Sequence, residues 1–173
     1  MKNQDSFLVL LMQNQNILHK IAGAYSRSPA DREDLTAEMT AALWKSFAAF
    51  DERRSFSTWI YRISLNVAIS FYRSEHRRSE QSLRSQSIAS QPSERDNEPD
   101  DRVDRLNAFI AGLGDIDKAL MLLYLDEHDY KSIAAVLGLT ETNVATKLGR
   151  LKARARVALT ADPIAYQGDS HGK

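Results

Sequence analysis

At 173 residues, with 43% apolar and 27% charged side chains, the chain has the balance of a soluble globular protein of one domain or two small ones. It has no cysteine, which excludes disulfides, thiolate catalysis and cysteine-ligated zinc, and His19, His76, His128 and His171 are too scattered for a metal site. A formal net charge of zero argues against an indiscriminate nucleic-acid binder, which is usually basic throughout.

The signs are nevertheless segregated along the chain. Residues 1–78 hold eleven Lys/Arg and eight Asp/Glu, 79–101 hold two and six, and 102–173 hold ten and nine. The first apolar run, Phe7 to Met12, is too short for a signal core or a membrane span and breaks into Gln13–Asn16, so the cytoplasm is the expected location. Phe7, Leu11, Leu18, Ile21 and Tyr25 recur at helical spacing and predict a first helix that Ser28-Pro29 ends. Asp31 or Asp34 can cap a second helix, with Leu35, Met39, Leu43, Phe47 and Phe50 as its apolar stripe. A short charged loop, Asp51 to Arg54, leads to a third helix that starts at Ser55 or Ser57 and runs to about Arg78.

On that third helix Ile60, Ile63, Val67 and Phe71 share one face, the expected core. Trp59, Arg62, Asn66, Ile69 and Arg73 fall on roughly the opposite side. An aromatic ring, cations and an amide on one face can stack on unpaired bases, hold phosphates and hydrogen-bond a base edge. The alternative reading packs Trp59 on the preceding helix and leaves the cations merely solvated.

Residues 79–101 are rich in Ser, Gln and acids, hold two prolines and lack aromatics, which predicts a flexible linker between two helical domains. No segment alternates at period two, so the expected fold class is all-α. In the second domain Leu106, Phe109, Ile110 and Leu113 mark one short helix and Ile116 to Leu125 another. From Tyr130 to Leu159 follow two helices around a tight turn. Gly138 is suited to the left-handed conformation that ends the first, and the Thr140 hydroxyl can accept from the amide of Asn143 to cap the second. Lys147, Arg150, Lys152, Arg154 and Arg156 then follow with no acid among them. The pattern favours a DNA-binding helix-turn-helix, with an αα-hairpin that carries a solvated basic face as the alternative.

Three segments, SPADREDLTAEMTAALWKSFAAF (28–50), FSTWIYRISLNVAISFYRSEHRR (56–78) and LDEHDYKSIAAVLGLTETNVATKLGRLKAR (125–154), carry a family resemblance. The chain resembles the extracytoplasmic-function branch (group IV) of the sigma-70 family of bacterial transcription initiation factors. The first two segments are similar to that family's domain 2 and the third to its domain 4. The resemblance implies a domain 2 over 1–78, a flexible acidic linker over 79–104, a domain 4 with its helix-turn-helix over 105–160 and a tail over 161–173.

It also implies a function: binding core RNA polymerase and directing it to promoters through their −35 and −10 elements. By that resemblance Asp31, Asp34, Leu35, Glu38, Met39, Leu43 and Trp44 are candidates for docking on the β′ clamp helices, although Leu35, Leu43 and Phe47 are better placed to pack inward. Asp34 and Glu38, four apart on one helix face, can meet cations on a partner. Asn66 would contact an unstacked base of the −10 element, Arg53, Arg54, Arg62 and Arg73 its phosphates, and Trp59 would stack or support the helix. Thr142, Asn143, Thr146, Lys147 and Arg150 would read the −35 major groove, with Lys152, Arg154 and Arg156 on phosphates. Leu120, Leu123 and Tyr124 would offer surface to the β flap, or simply pack.

Three departures from the family pattern stand out: a short Asp51–Ser55 loop without glycine, Ala145 at a frequently basic position, and Gly149 where a larger residue is common. An anti-sigma factor is an expected partner on family grounds. No nucleophile with a nearby base, phosphate loop or metal cluster is visible, so neither catalysis nor a cofactor is expected. The competing readings are a free-standing helix-turn-helix regulator that binds duplex DNA without polymerase, and a helical adaptor.

Overall fold

The computed structural model describes residues 4–83 and 101–160. The middle of the expected linker, 84–100, and the tail, 161–173, lie outside the described residues. The described residues form eight helices: α1 (Gln4–Gln13), α2 (Gln15–Tyr25), α3 (Pro29–Phe47), α4 (Phe56–Leu83), α5 (Asp101–Ala111), α6 (Asp115–Leu125), α7 (Tyr130–Leu137) and α8 (Glu141–Thr160). The all-α expectation holds.

The first expected helix is two. Asn14 turns its side chain back, its Nδ2 donating to the Leu10 carbonyl at 2.8 Å, and its own amide bonds to Leu11 in a tighter turn. A short amide side chain that bonds nearby backbone competes with the helix ladder, and the apolar periodicity runs through the break without registering it. Ser28, rather than Asp31 or Asp34, caps α3. Its hydroxyl accepts from the Asp31 amide, the Asp31 carboxylate accepts from the Ser28 amide, and Pro29 opens the helix at a position that needs no amide. Leu35, Met39, Leu43, Phe47 and Phe50 are buried as a single stripe.

In α4 the buried face is Ile60, Tyr61, Ser64, Leu65, Ala68 and Ile69, turned from the face expected. Ile63, Val67 and Phe71 are only half-buried, and Ile69 lies inside rather than on the polar side. The cause is that α4 is covered from two directions, by α2 and α3 and by α6 and α7, so its core arc is wider than one apolar stripe. The helix also runs to Leu83, five residues past Arg78, and α5 begins at Asp101, inside the expected linker.

Gly138 adopts φ 68° and ends α7, and the Leu139 amide bonds to the Ala134 carbonyl across the turn. The Thr140 hydroxyl accepts from the Asn143 amide at 3.2 Å, the expected cap. Asp129 caps α7 through the Ser132 amide, and hydrogen bonding from the Ser132 hydroxyl and amide holds its carboxyl below the usual carboxylate range. Val144, Leu148 and Leu151 close α8 onto α6 and α7. Leu120 and Leu123 are fully buried and Tyr124 half-buried, so core packing accounts for these three residues.

The two helix groups, matching the two expected domains, pack against each other. Their buried residues form one continuous cluster. At the seam Lys118 is 2% exposed; its ammonium donates to the Ala24 carbonyl at 3.0 Å and lies over the rings of Tyr25 and Tyr72, 5.2 and 4.8 Å from their centroids. Burial pulls the Lys118 pKa down and pushes that of the Tyr25 phenol far up, so Tyr25 stays a donor, to the Asp115 carbonyl at 2.5 Å. A second seam contact sets His128 edge-on to Tyr61, centroids 5.0 Å apart, beside the ion pair of Lys20 and Asp126.

Two predictions follow from this packing. Burial holds the His128 imidazole below its ordinary 6.5, outweighing the nearby Asp126 and Asp129. The packed state therefore takes up its proton less readily than the released one. Its contribution is complete above about pH 6.5 and is lost as pH falls from there through the depressed pKa. Urea midpoints at pH 7.5 and 5.5 should differ more for the wild type than for His128→Phe; equal differences would remove His128 from the seam. Gly138→Ala, which meets no neighbour but must hold a left-handed backbone, should lower stability by about 1 kcal/mol in the same assay.

Candidate nucleic-acid interface

Arg62, Asn66, Ser70 and Arg73 line the exposed side of α4, at spacings that keep them on one face. Trp59 is not part of that face. Half-buried, it closes an aromatic cluster, its ring centroid 5.0 Å from Phe50, 5.2 Å from Phe56 and 6.3 Å from Phe47. The packing alternative for Trp59 is the one realised. Its indole fixes the α3–α4 loop against the start of α4, where the Ser55 carbonyl accepts the first amide of the helix from Trp59 itself. In that loop the Asp51 carboxylate accepts from both the backbone amide and the Nε of Arg53, at 3.1 Å each, and the side chains of Arg53 and Arg54 project outward. The short loop is thereby folded around an aspartate, without a glycine.

A groove of about 560 Å³ runs between α3 and α4, lined by Glu38, Asn66, Val67, Ser70, Phe71 and Ser74. It places Glu38, a candidate for polymerase contact, beside Asn66, a candidate for base contact. Nothing in the linear sequence joins these two residues; only the α3–α4 packing does. On α3, Leu35 and Met39 are fully buried and cannot meet a partner, which corrects that part of the expected set. Both sit on the stripe that packs α3 against α2 and α4. Asp31 is committed to the capping box. Asp34, Glu38 and Trp44 remain exposed, Trp44 with its ring tilted on Phe7 at 5.1 Å.

The outer side of α8 carries Thr142, Asn143, Thr146 and Arg150, all exposed, opposite the buried Val144, Leu148 and Leu151. The helix is thus held by one face and presents its N-terminal half on the other, the disposition of a groove-reading helix. Lys147 is half-buried and donates to Asp117 on α6 at 3.4 Å. Lys152 lies over the Tyr124 ring and Arg154 over that of Phe109, 5.0 and 5.9 Å from the centroids, so both stems pack while their charges stay near the surface. Arg156 is exposed. Among the described residues no group of His, Asp or Glu is placed to hold a metal, and no helix is long and apolar enough to cross a membrane.

With this geometry in view, comparison with known proteins is decisive. Residues 10–78 match sigma-70 region 2 and residues 104–156 match sigma-70 region 4. The chain belongs to the sigma-70 family, in its extracytoplasmic-function branch, a family of non-catalytic transcription initiation factors. It is 26% identical over 171 residues to the RNA polymerase sigma factor CnrH of Cupriavidus metallidurans, covering 92% of this chain and 90% of that protein. It is 28% identical over 149 residues to the probable RNA polymerase sigma factor RfaY of Xanthomonas campestris pv. campestris. That match covers 82% of this chain but 37% of the length of RfaY. The fold is shared with the sigma factor RpoE of Bartonella quintana in its complex with the anti-sigma factor NepR (TM-score 0.69, 19% identity, 91% of this chain and 98% of that one). It is shared likewise with CnrH in its complex with the cytosolic domain of CnrY (TM-score 0.66, 24% identity, 92% and 91%).

The contrast between Trp59 and its neighbours is testable. Trp59→Ala should cost about 3–5 kcal/mol in urea unfolding, whereas Arg62→Ala and Asn66→Ala should stay within about 0.5 kcal/mol of wild type. A Trp59→Ala variant as stable as the wild type would return the indole to the exposed face.

Proposed function

We propose that this chain is an alternative sigma factor that binds core RNA polymerase and directs promoter-specific initiation, with α4 and its preceding loop engaging the −10 element and α8 the −35 element. The observation that carries the reading is the pairing of two region matches, in family order, with two separate exposed polar faces, one on each matched region. Asn66 would hydrogen-bond an unstacked base at the mouth of the α3–α4 groove, and Arg53, Arg54, Arg62 and Arg73 would hold the strand. Thr142, Asn143, Thr146, Lys147 and Arg150 would read the major groove, and Lys152, Arg154 and Arg156 would grip its phosphates. Asp34, Glu38 and Trp44 would face polymerase. The domain limits we propose are 1–78 and 105–160, with the ends of α4 and α5 reaching to Leu83 and from Asp101 into the 79–104 linker, and 161–173 as tail.

Two sigma factors of this fold are held by anti-sigma factors, and an equivalent inhibitor is proposed for this chain. Its place of action would be the cytoplasm, where polymerase works. A free-standing regulator is less well supported, because that reading gives the region 2 match no role.

Run-off transcription with sigma-free core polymerase on a pool of host promoter fragments tests this. Wild-type protein should give discrete transcripts. Asn66→Ala should lower their yield roughly five- to 150-fold, the range expected for losing a base-specific contact worth about 1–3 kcal/mol. No transcripts and no co-elution with core, together with tight duplex binding by the protein alone, would replace the sigma reading with a free-standing regulator.

A further inference from the structure

We propose that the cavity between the start of α4 and the α6–α7 turn is a binding site for a small aliphatic α-amino acid, held by its carboxylate at the α4 N-terminus and by its ammonium at Glu127. The cavity holds about 550 Å³ and is lined by Ser57, Thr58 and Tyr61 of α4 and by Leu125, Glu127 and His128 of the turn. Two features there are not accounted for by packing. The first is the Tyr61 hydroxyl. The side chain is 1% exposed and edge-on to His128 at 5.0 Å, and its oxygen has no hydrogen-bond partner. A buried hydroxyl left without a partner is costly, and native structures keep few of them.

The second feature is Glu127, the one described residue other than glycine with a positive φ, at 59°. It follows α6 at the position where glycine adopts the left-handed backbone freely and a glutamate is strained. Its amide and that of His128 close the helix on the Tyr124 and Leu123 carbonyls, a turn that glycine would make with less strain. The strained position places a carboxylate at the lip of the cavity, and no ion pair engages it among the described residues. The adjacent Asp126, by contrast, is paired with Lys20.

The opposite polarity comes from α4. The Trp59 amide bonds to the Ser55 carbonyl, which leaves the amides of Phe56, Ser57 and Thr58 open at the head of a long helix. Ser55 does not cap them, because its hydroxyl is engaged with that of Ser57 at 2.8 Å. Tyr61 lies one turn further on and reclines towards this end, so its phenol joins the same set of donors. His128, kept neutral by burial, has one ring nitrogen to donate. A ligand carboxylate would use the donors that the protein leaves unused.

A plain anion there would leave Glu127 without a counter-charge, whereas a ligand with an ammonium group satisfies both ends. Ile17 and Leu125 add an apolar wall suited to a short aliphatic side chain. Such a ligand touches α4 and the α6–α7 turn at once, so it stabilises the folded chain by mass action. The assignment is independent of the promoter reading.

The test titrates the full chain by calorimetry with each standard amino acid, with acetate and n-butylamine as the two halves of the zwitterion. Leucine should bind saturably and raise the urea midpoint, and each half alone should bind roughly tenfold more weakly or worse. Tyr61→Phe keeps the ring and removes only the hydroxyl; it should weaken leucine binding about tenfold. Glu127→Gly should weaken it by a similar factor while raising the urea midpoint of the ligand-free chain, because relief of the left-handed backbone and loss of the ligand contact have opposite signs. Circular dichroism checks that both variants keep their helices. Binding of no amino acid to the wild type would overturn the proposal, as would equal affinity in the wild type and both variants. Acetate binding as tight as that of leucine, and unaffected by Glu127→Gly, would replace it with a simple anion site.

Discussion

The structure turns on one lysine withdrawn from water. An ammonium group at 2% exposure is costly unless its protons are satisfied and its charge is faced by electron-rich surface. Lys118 has a carbonyl and the faces of two tyrosines. Those partners come from α2 and α4, while the lysine comes from α6, so the charge is stabilised only when the two helix groups are packed. Burial at the same seam, with the Asp115 carboxylate beside it, raises the Tyr25 pKa, and the phenol donates to the Asp115 carbonyl. Buried polar groups fix a packing register in some proteins, and the Lys118 contacts tie α6 to particular residues of α2 and α4.

From that fixed register the rest can be placed. Once α6 lies on α4, α7 follows through the turn that carries His128 to Tyr61, and α8 follows through Gly138 and the Thr140 cap. The exposed sides of α4 and α8 are what remains after this packing, and they hold Arg62, Asn66 and Ser70 on one helix and Thr142, Asn143, Thr146 and Arg150 on the other. Each exposed face is thus defined by what is buried behind it. Trp59 illustrates the point from the other side: it sits on the expected polar face by periodicity, but the adjacent Phe47, Phe50 and Phe56 draw it into the loop cluster.

Local chemistry was largely legible in the sequence. The Ser28-Pro29 break, the left-handed glycine, the Thr140 cap and the α3 and α8 core stripes each depend on a few neighbouring residues, and each is present. The break at Asn14 and the true core face of α4 were not. Helical periodicity is blind to one amide that turns back on its own helix, and it assumes one packing partner where α4 has two sides covered. The seam was invisible for a different reason. Lys118 reads as a solvated cation on an acidic stretch, and only the three-dimensional approach of Tyr25 and Tyr72, 93 and 46 residues away along the chain, reveals it as buried. Likewise the adjacency of Glu38 and Asn66 is a property of helix packing.

The zero net charge, which at first argues against DNA binding, acquires a physical meaning from these contacts. Asp115, Asp117 and Asp126 precede the helix-turn-helix in the chain, but in space they are distributed to Arg73, Lys147 and Lys20 on three other helices. The acids are therefore partners held in reserve and not a general counterweight. Cations neutralised at contact distance add little to the field that a distant phosphate would meet. In the packed arrangement three cations are thus paired with acids from another helix group or element. That suits a family whose members meet DNA in the company of polymerase, since affinity then arises only where both helix groups are engaged together.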